Sequence, residues 1–327
     1  MCTMSYFNRF FSRQAVGISR LIFTAGIGLS ALLFPLNSTA KGDLLVVDSL
    51  LDRVLLVSAT DGSVINANFI SDVPRFQTAI NAINSGQNTI LISDQVADAV
   101  FEYDLSGNYL RTVVSASNGL DNIRGIAVHN GRLYVTVAGG SLNNTIQSFK
   151  LDGSDRQTFI SSNLDSPWDV FFRGGDVLVS NSGSDDIERF DVNGNFLNTL
   201  VASDGASGID FPQQIFERSN GNLLVGGFSP PAGIFEYLAD GTQLNYFSAP
   251  GPRAVYELAN GKYLYSAGTR LAVFDPITRT STDIINNTNS SFRYIERLQA
   301  VPEPGSWLLC LGLSGLVLSR RRASRVE

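Results

Sequence analysis

Short apolar runs separated by glycine turns repeat along the chain between residues 41 and 300. Two sets of turn pairs recur, each with a period of about 45 residues. The first set is Ser85-Gly86, Asn130-Gly131, Gly174-Gly175, Asn220-Gly221 and Asn260-Gly261, and the second is Asp61-Gly62, Ser106-Gly107, Asp152-Gly153, Asn193-Gly194 and Asp240-Gly241. Asn-Gly and Asp-Gly pairs supply the positive φ angles of tight hairpins. Two interleaved sets at one period therefore predict two hairpins, and hence four strands, in each unit.

The strands predicted between these turns differ in pattern. The second strand of each unit is an apolar run, such as 89–92 or 133–137, which is expected where a strand is buried on both faces. The third strand alternates apolar and polar residues before an aromatic, as in 99–104. This alternation predicts a half-exposed outer strand. No helical periodicity of useful length occurs between Lys41 and Ala300.

The number and size of the units predict the architecture. Six second strands can be counted, and a unit of about 45 residues has the size of a propeller blade. The first unit lacks an inner strand before Asp43, whereas an unpaired strand, 292–298, follows the last unit. Pairing the two closes the ring and removes the exposed edges. We therefore predict an all-β fold, a six-bladed β-propeller of four-stranded blades over residues 41–300, closed by strand 292–298.

Two of the units resemble a known repeat family. Residues 90–107 and 177–194 each run through a strand, an Asp or Asn, a polar loop, a strand ending in an aromatic and Asp, and a glycine turn. This order resembles the NHL repeat, although the loop 94–100 lacks the basic residue usual in that family. The resemblance implies an NHL-like propeller. It leaves function open, because such propellers range from enzymes to pure binding scaffolds.

The N-terminal segment has the features of an export signal. Arginines at positions 9, 13 and 20 precede an apolar run over residues 21–34, and the small residues Ser38 and Ala40 follow. This order predicts a signal peptide over residues 1–40 that a signal peptidase cleaves after Ala40.

The C-terminal segment, 301–327, contains three parts in a fixed order. Pro302, Glu303 and Pro304 come first, an apolar run over residues 307–318 follows, and the basic residues Arg320, Arg321 and Arg322 end it. The apolar run is shorter than the roughly 20 residues of a comfortable membrane span, and the arginines should stay on the cytoplasmic side.

This tail resembles the PEP-CTERM sorting signal, with a short transmembrane helix between the motif and the arginines. The resemblance implies recognition and removal by an exosortase-type enzyme, only transient contact with the membrane, and delivery to the bacterial cell surface or the surrounding matrix. The association of that family with exopolysaccharide and biofilm implies a polysaccharide or a matrix protein as partner.

Composition excludes several kinds of function. Both cysteines, Cys2 and Cys310, lie outside residues 41–300, so the body can hold neither a disulfide nor a thiolate site. The formal charge is −6, and the body is more acidic still because seven of the 24 basic residues lie in the two terminal segments. An acidic body disfavours nucleic acid as a partner.

Candidate catalytic groups are few. The single histidine, His129, lies beside a predicted hairpin turn, and no Gly-x-Ser-x-Gly elbow is present. The strongest enzyme hypothesis is a calcium-dependent lactonase-like hydrolase, because Asp48, Asp94 and Asn181 follow second strands and could offer oxygen ligands near the channel. The same residue types also occur as caps of turns and loops. The sequence predicts no other cofactor and favours a protein that is not an enzyme.

A binding face is predicted where loops enter the inner strands. Arg124, Trp168 and Arg253 stand at corresponding places before inner strands in different units, and Pro212-Gln213 occupies the same place in another unit. Because these loops meet on one face of a propeller, a polar and aromatic surface is expected around the channel mouth. Pro and Trp at such places can also have a purely structural role at the start of a strand. The favoured function is an exported binding or structural module, and the alternative is the hydrolase.

Overall fold

A computed structural model describes residues 42–205 and 207–298, which fold into six antiparallel sheets of four strands each. The 24 strands follow one another almost without interruption. In chain order they are β1 Leu44–Asp48, β2 Arg53–Val57, β3 Val64–Ser71, β4 Ala79–Asn84, β5 Thr89–Asp94, β6 Ala99–Asp104, β7 Tyr109–Val114, β8 Ile123–His129, β9 Arg132–Val137, β10 Thr145–Lys150, β11 Gln157–Ile160, β12 Pro167–Arg173, β13 Asp176–Asn181, β14 Asp186–Asp191, β15 Phe196–Val201, β16 Pro212–Glu217, β17 Leu223–Gly227, β18 Gly233–Tyr237, β19 Gln243–Ser248, β20 Ala254–Glu257, β21 Tyr263–Ala267, β22 Arg270–Asp275, β23 Thr280–Asn286 and β24 Phe292–Arg297. Two 3-10 turns occupy Ala116–Asn118 and Gly140–Leu142. The predicted six-bladed, all-β propeller is confirmed.

The ring closes through the last strand, as predicted. β24 pairs antiparallel with β1, so that Leu45 lies opposite Glu296 and Val46 opposite Ile295. The first sheet therefore has the order β24-β1-β2-β3, whereas each of the other blades uses four consecutive strands. Residues 292–297 and 44–48, almost 250 positions apart in sequence, are thus joined in one blade.

Burial decreases from the second strand of a blade to its outer edge. Second strands such as β1 and β17 are buried at every position, and fourth strands such as β15 and β23 are mostly exposed. The prediction that third strands are half exposed is wrong for β18, which is buried throughout. Its polar residue, Glu236, is buried because Arg218 and Asn245 supply partners from the same blade.

Apolar side chains fill the spaces between neighbouring blades. The interface of the first two blades, for example, packs Leu45, Val47 and Ile70 against Ile92 and Tyr103. Such burial of apolar area is the main stabilising contribution in a cysteine-free domain.

The glycines of the second turn set also serve this packing between blades. Gly153 and Gly241 adopt φ values of 87° and 88°. A Cβ at either position would lie 2.0 Å from a backbone carbonyl oxygen of the preceding blade, that of Val113 or Leu200. Glycine is therefore required there both for its backbone conformation and for close approach.

The predicted signal peptide, its cleavage site at Ala40, and the sorting segment 301–327 with its transmembrane helix lie outside the described residues. Within the residues that the structure describes, no helix is long and apolar enough to cross a membrane.

Candidate ligand-binding site at one mouth of the channel

One residue occupies the same position in every blade, near the start of the inner strand. In five blades the register of the inner strand shifts at this point, which leaves an extra residue unpaired. In the sixth blade the equivalent residue lies directly before β20 and donates its backbone N–H to Ser266. The six residues, here called the channel-mouth ring, are Ile80, Arg124, Trp168, Gln213, Arg253 and Arg293. Inner strands run side by side around the axis of a propeller, so these residues meet at one mouth of the channel.

Arg124 and Trp168 contact each other across adjacent blades. The guanidinium of Arg124 lies 4.1 Å from the centroid of the Trp168 ring. Its Nη1 donates to the carbonyl and the hydroxyl of Ser166, at 3.1 and 2.9 Å. Arg124 is only 7% exposed, and burial lowers its pKa to about 10, which still leaves it cationic at neutral pH. Trp168 also packs against Phe211, so it holds the arginine in place.

Arg253 and Arg293 lie on the other side of the ring and are joined through two serines. Arg253 Nη1 donates to the Ser291 hydroxyl, and Arg293 Nε donates to the Ser49 hydroxyl, both at 2.9 Å. Ser49 in turn donates to the Ser291 carbonyl at 3.1 Å. Burial, and then the like charge of Arg293, lowers the pKa of Arg253 to about 10. Burial also lowers the pKa of Arg293.

Several buried polar atoms around this ring have no hydrogen-bond partner among the described residues. Four are donors, and they are Nε of Arg124, Nε of Arg253, Nε1 of Trp168 and the hydroxyl of Tyr294. One is an acceptor, Oε1 of Gln213. Buried polar groups in folded proteins are nearly always paired, so a local excess of free donors requires an explanation.

The opposite ends of the inner strands enclose a cavity of about 410 Å³, and two of its lining residues are Asp169 and Glu296. Asp169 accepts backbone N–H groups of Val170 and Ile215 at 3.0 and 2.9 Å. Glu296 accepts the side-chain amide of Gln214 at 2.6 Å. Burial raises the pKa of Asp169 to about 7. Burial, followed by the charge of Asp169, raises the pKa of Glu296 to about 8. Arg297 lines the same cavity and its backbone N–H lowers the pKa of Glu296, but within the described residues no arginine side chain forms an ion pair with either carboxyl.

Asp94, one of the predicted calcium ligands, holds the loops of its own blade. Its carboxylate accepts backbone N–H groups from residues 77 and 78, which precede β4, at 2.8 to 3.0 Å. It also accepts those of Val96 and Ala97, which follow β5, at 3.1 and 2.9 Å. These four donors fill the positions that a metal ion would otherwise occupy.

Asp48 and Asn181 are likewise engaged locally. Asp48 binds Arg53 at 3.2 Å and accepts the backbone N–H of Ser291 at 2.9 Å. Asn181 donates to Asp186 at 2.9 Å. Within residues 42–205 and 207–298, no group of three His, Cys, Asp or Glu side chains is arranged to hold a metal ion. The calcium site and the hydrolase that would use it stay predictions.

His129 packs at the end of β8. Its ring stacks on Phe172, with 4.3 Å between centroids, and Nε2 lies 3.0 Å from the side-chain nitrogen of Asn130. The residue therefore contributes to packing between the third and fourth blades beside a hairpin turn.

The structure places the three residues predicted as a binding face at equivalent positions of different inner strands, with Arg124 and Trp168 in contact, and adds others that the sequence analysis missed. Arg124, Trp168 and Arg253 all belong to the channel-mouth ring. Arg293 was missed, although it stands 40 positions after Arg253, as Arg253 stands 40 after Gln213. The repeat spacing alone could have placed it in the ring, because strand 292–298 was already predicted to be an inner strand.

A family model described as the PEP-CTERM protein-sorting motif matches residues 300–323. This chain carries a PEP-CTERM sorting signal. The match confirms the resemblance inferred from Pro302, Glu303, Pro304 and the arginine run, and it implies exosortase processing and export to the bacterial cell envelope. The PEP-CTERM motif begins only three residues after Arg297, where β24 ends, so the sorting signal directly follows the strand that closes the ring.

Solved structures are similar to the propeller in fold. A chain of a nidogen/laminin complex has a TM-score of 0.66 and 14% identity, covering 79% of this chain and 99% of that one. A protein of unknown function from Bacteroides caccae has a TM-score of 0.55 and 14% identity, covering 80% and 100%. At these identities the likeness shows the fold alone. No curated protein matches the chain in sequence.

Proposed function

We propose that the protein is an exported propeller that binds polysaccharide of the cell surface or extracellular matrix at its channel-mouth ring. The observation that carries this proposal is the ring itself, in which three arginines and a tryptophan from different blades meet beside unpaired donors. Sugars present many acceptor oxygens, and concave sites with a few convergent donors suit such ligands. The sorting signal supports the location, because it would deliver the propeller to the compartment where such polymers occur.

Binding without turnover is the expected behaviour. The full-length chain is titrated with immobilised neutral and uronate-containing bacterial polysaccharides, and the soluble phase is analysed for released sugars. Arg253→Gln removes one cation of the ring and is expected to weaken binding about tenfold. Arg156→Gln, at an exposed position just before the outer strand β11, is the matched control and should bind like the wild type. Absence of binding to every polysaccharide, or release of cleaved products, would contradict the proposal. Selective capture of a matrix protein would instead identify the other predicted partner class.

Processing at both ends is the second expectation of this proposal. Mass spectrometry of the protein recovered from the envelope and the medium should give an N-terminus at Lys41 and a C-terminus close to Pro302. Glu303→Ala alters the motif itself and is expected to retain the tail. Glu296→Gln, seven residues earlier and inside the propeller, is the control and should be processed normally. A mature wild-type protein with an intact tail through Glu327 would rule out sorting by tail removal.

A further inference from the structure

We propose that Arg124, Arg253 and Arg293 bind a single carboxylate carried by a sugar, such as a uronic acid at the end or branch of a polysaccharide chain. This inference rests on the proposed function and deepens it, because it names the chemical group that the channel-mouth ring recognises.

Among the arginines that are at least partly buried within the described residues, these three alone have no acidic partner. Elsewhere, buried acids and arginines pair directly, as Arg218 does with Glu236 and Glu257. None of the ion pairs within the described residues includes Arg124, Arg253 or Arg293. An uncompensated charge withdrawn from water is costly. A bound anion would supply the missing negative charge.

The free hydrogen-bonding capacity at the ring is also that of an anion site. Arg293 uses only Nε within the described residues, for its bond to Ser49, which leaves both terminal nitrogens available. Arg124 and Arg253 bond the protein only through Nη1. The Tyr294 hydroxyl and the Trp168 indole N–H are also without a partner. The free groups at the ring are therefore mostly donors, and the one free acceptor among them is Oε1 of Gln213. Guanidinium groups bind carboxylates through two parallel bonds, which matches this set.

The three cations are close enough to act on one ligand group. Arg124, Arg253 and Arg293 each lie near enough to Tyr294 for a charge on its hydroxyl to raise the pKa of the guanidinium. Arg253 also experiences the like charge of Arg293. A ligand carboxylate beside Tyr294 would relieve this repulsion.

The protein's own carboxyls do not fill this role. Asp169 is held by the backbone N–H groups of Val170 and Ile215, and Glu296 is held by Gln214. No arginine side chain contributes to the shifted pKa of either acid. Asp169 and Glu296 also act on the Tyr294 hydroxyl, so the carboxyl layer adjoins the arginine ring across Tyr294 without binding its guanidinium groups.

The charge of the whole body favours a single ligand carboxylate over a dense polyanion. The chain has a formal charge of −6, and the described propeller lacks the seven arginines of the terminal segments. Such a surface repels a polymer that is charged at every residue. A sugar with one carboxylate can enter the ring while its neutral neighbours contact the rim.

Calorimetric titration of the full-length chain in mild detergent tests this inference with three probes, which are glucuronate, glucose and inorganic sulfate. Glucuronate is expected to bind and glucose, its uncharged counterpart, is not. Arg293→Gln should weaken glucuronate binding about tenfold or more, because it removes two charge-assisted donors. Arg297→Gln removes the same charge from the exposed end of β24 and should change affinity less than about twofold.

The outcomes separate the inference from the proposed function. Polysaccharide binding that persists in Arg293→Gln, or equal binding of glucose and glucuronate, overturns the carboxylate site but leaves a polysaccharide-binding protein. If sulfate binds as tightly as glucuronate, the proposal that the carboxylate must be carried by a sugar is overturned, and the ring is a site for a free oxyanion. Glucuronate binding without any polysaccharide binding overturns the proposed function.

If Arg293→Gln loses the folded circular dichroism spectrum, Arg293→Lys serves instead. It keeps the charge but not the two-pronged geometry, so weaker glucuronate binding supports the site and unchanged binding overturns it.

Discussion

A chain that stops before Phe292 is expected to lose the cooperatively folded propeller, whereas a chain that ends at Ala300 folds. The missing strand, β24, buries the side chains of Phe292, Tyr294 and Ile295 almost completely. At about 2 kcal/mol for each large apolar side chain, their loss removes about 6 kcal/mol. The total stability of a domain is only about 5 to 15 kcal/mol. The truncation therefore removes a large share of the free energy of unfolding.

The same truncation also exposes an edge. Without β24, the backbone groups of β1 along residues 44–48 lose their inner partner and can pair with other chains. Urea denaturation followed by tryptophan fluorescence, together with size-exclusion chromatography, should show a lost cooperative transition and large aggregates. The chain that ends at Ala300 is the control, because it lacks the same tail but keeps the closing strand. A monomeric, cooperatively unfolding protein without β24 would show that ring closure is not needed.

The sequence predicts the blades well because their turns are local. An Asn-Gly or Asp-Gly pair determines its own hairpin, and regular spacing extends that information to the whole ring. Gly153 and Gly241 show why the pattern is so regular, since each must both adopt a positive φ and approach a carbonyl of the preceding blade. The closing strand could be predicted because the first unit lacks an inner strand, whereas strand 292–298 belongs to no other unit. Pairing the two completes the first blade.

Burial within a blade was harder to predict, because it depends on partners from other strands. Glu102 and Glu236 alternate with apolar residues, which indicated exposure to solvent. Arg111 from β7 and Arg218 near the start of the hairpin after β16 neutralise them, so both third strands are buried. Alternation shows which residues of a strand are polar. Whether those residues are buried depends on side-chain partners from other strands, which cannot be seen in the sequence of the strand itself.

The channel-mouth ring was only partly predictable for a related reason. Each blade contributes one residue, and the spacing between these residues varies between 40 and 45. Arg124, Trp168 and Arg253 stood out by their position before inner strands, but their mutual contacts depend on ring closure. The carboxyl layer of Asp169 and Glu296 could not be predicted from the local sequence, because an Asp or a Glu in a strand is common. Their raised pKa values arise from burial in the channel, which depends on the whole ring.

These two carboxyls are expected to make the protein less stable as the pH rises from about 5 to about 9. The pKa of Asp169 is raised to about 7 and that of Glu296 to about 8, against roughly 4 for both groups in an unfolded chain. Between these values the folded state binds more protons than the unfolded state, so raising the pH lowers the free energy of unfolding. After allowance for solvent that reaches Glu296, the loss is on the order of 3 kcal/mol for the pair.

Glu296→Gln tests this pH dependence, because an amide resembles the protonated acid in shape and can still accept the bond from Gln214. The variant is expected to lose less stability than the wild type between pH 5 and pH 9, and to be the more stable of the two at the alkaline end. Urea denaturation at several pH values measures both. Asp240→Asn is the matched control, since the pKa of this exposed turn residue is lowered by the backbone N–H of Thr242 and it stays ionised throughout. Parallel stability profiles for the wild type and Glu296→Gln would show that Glu296 is not protonated in the folded protein at neutral pH.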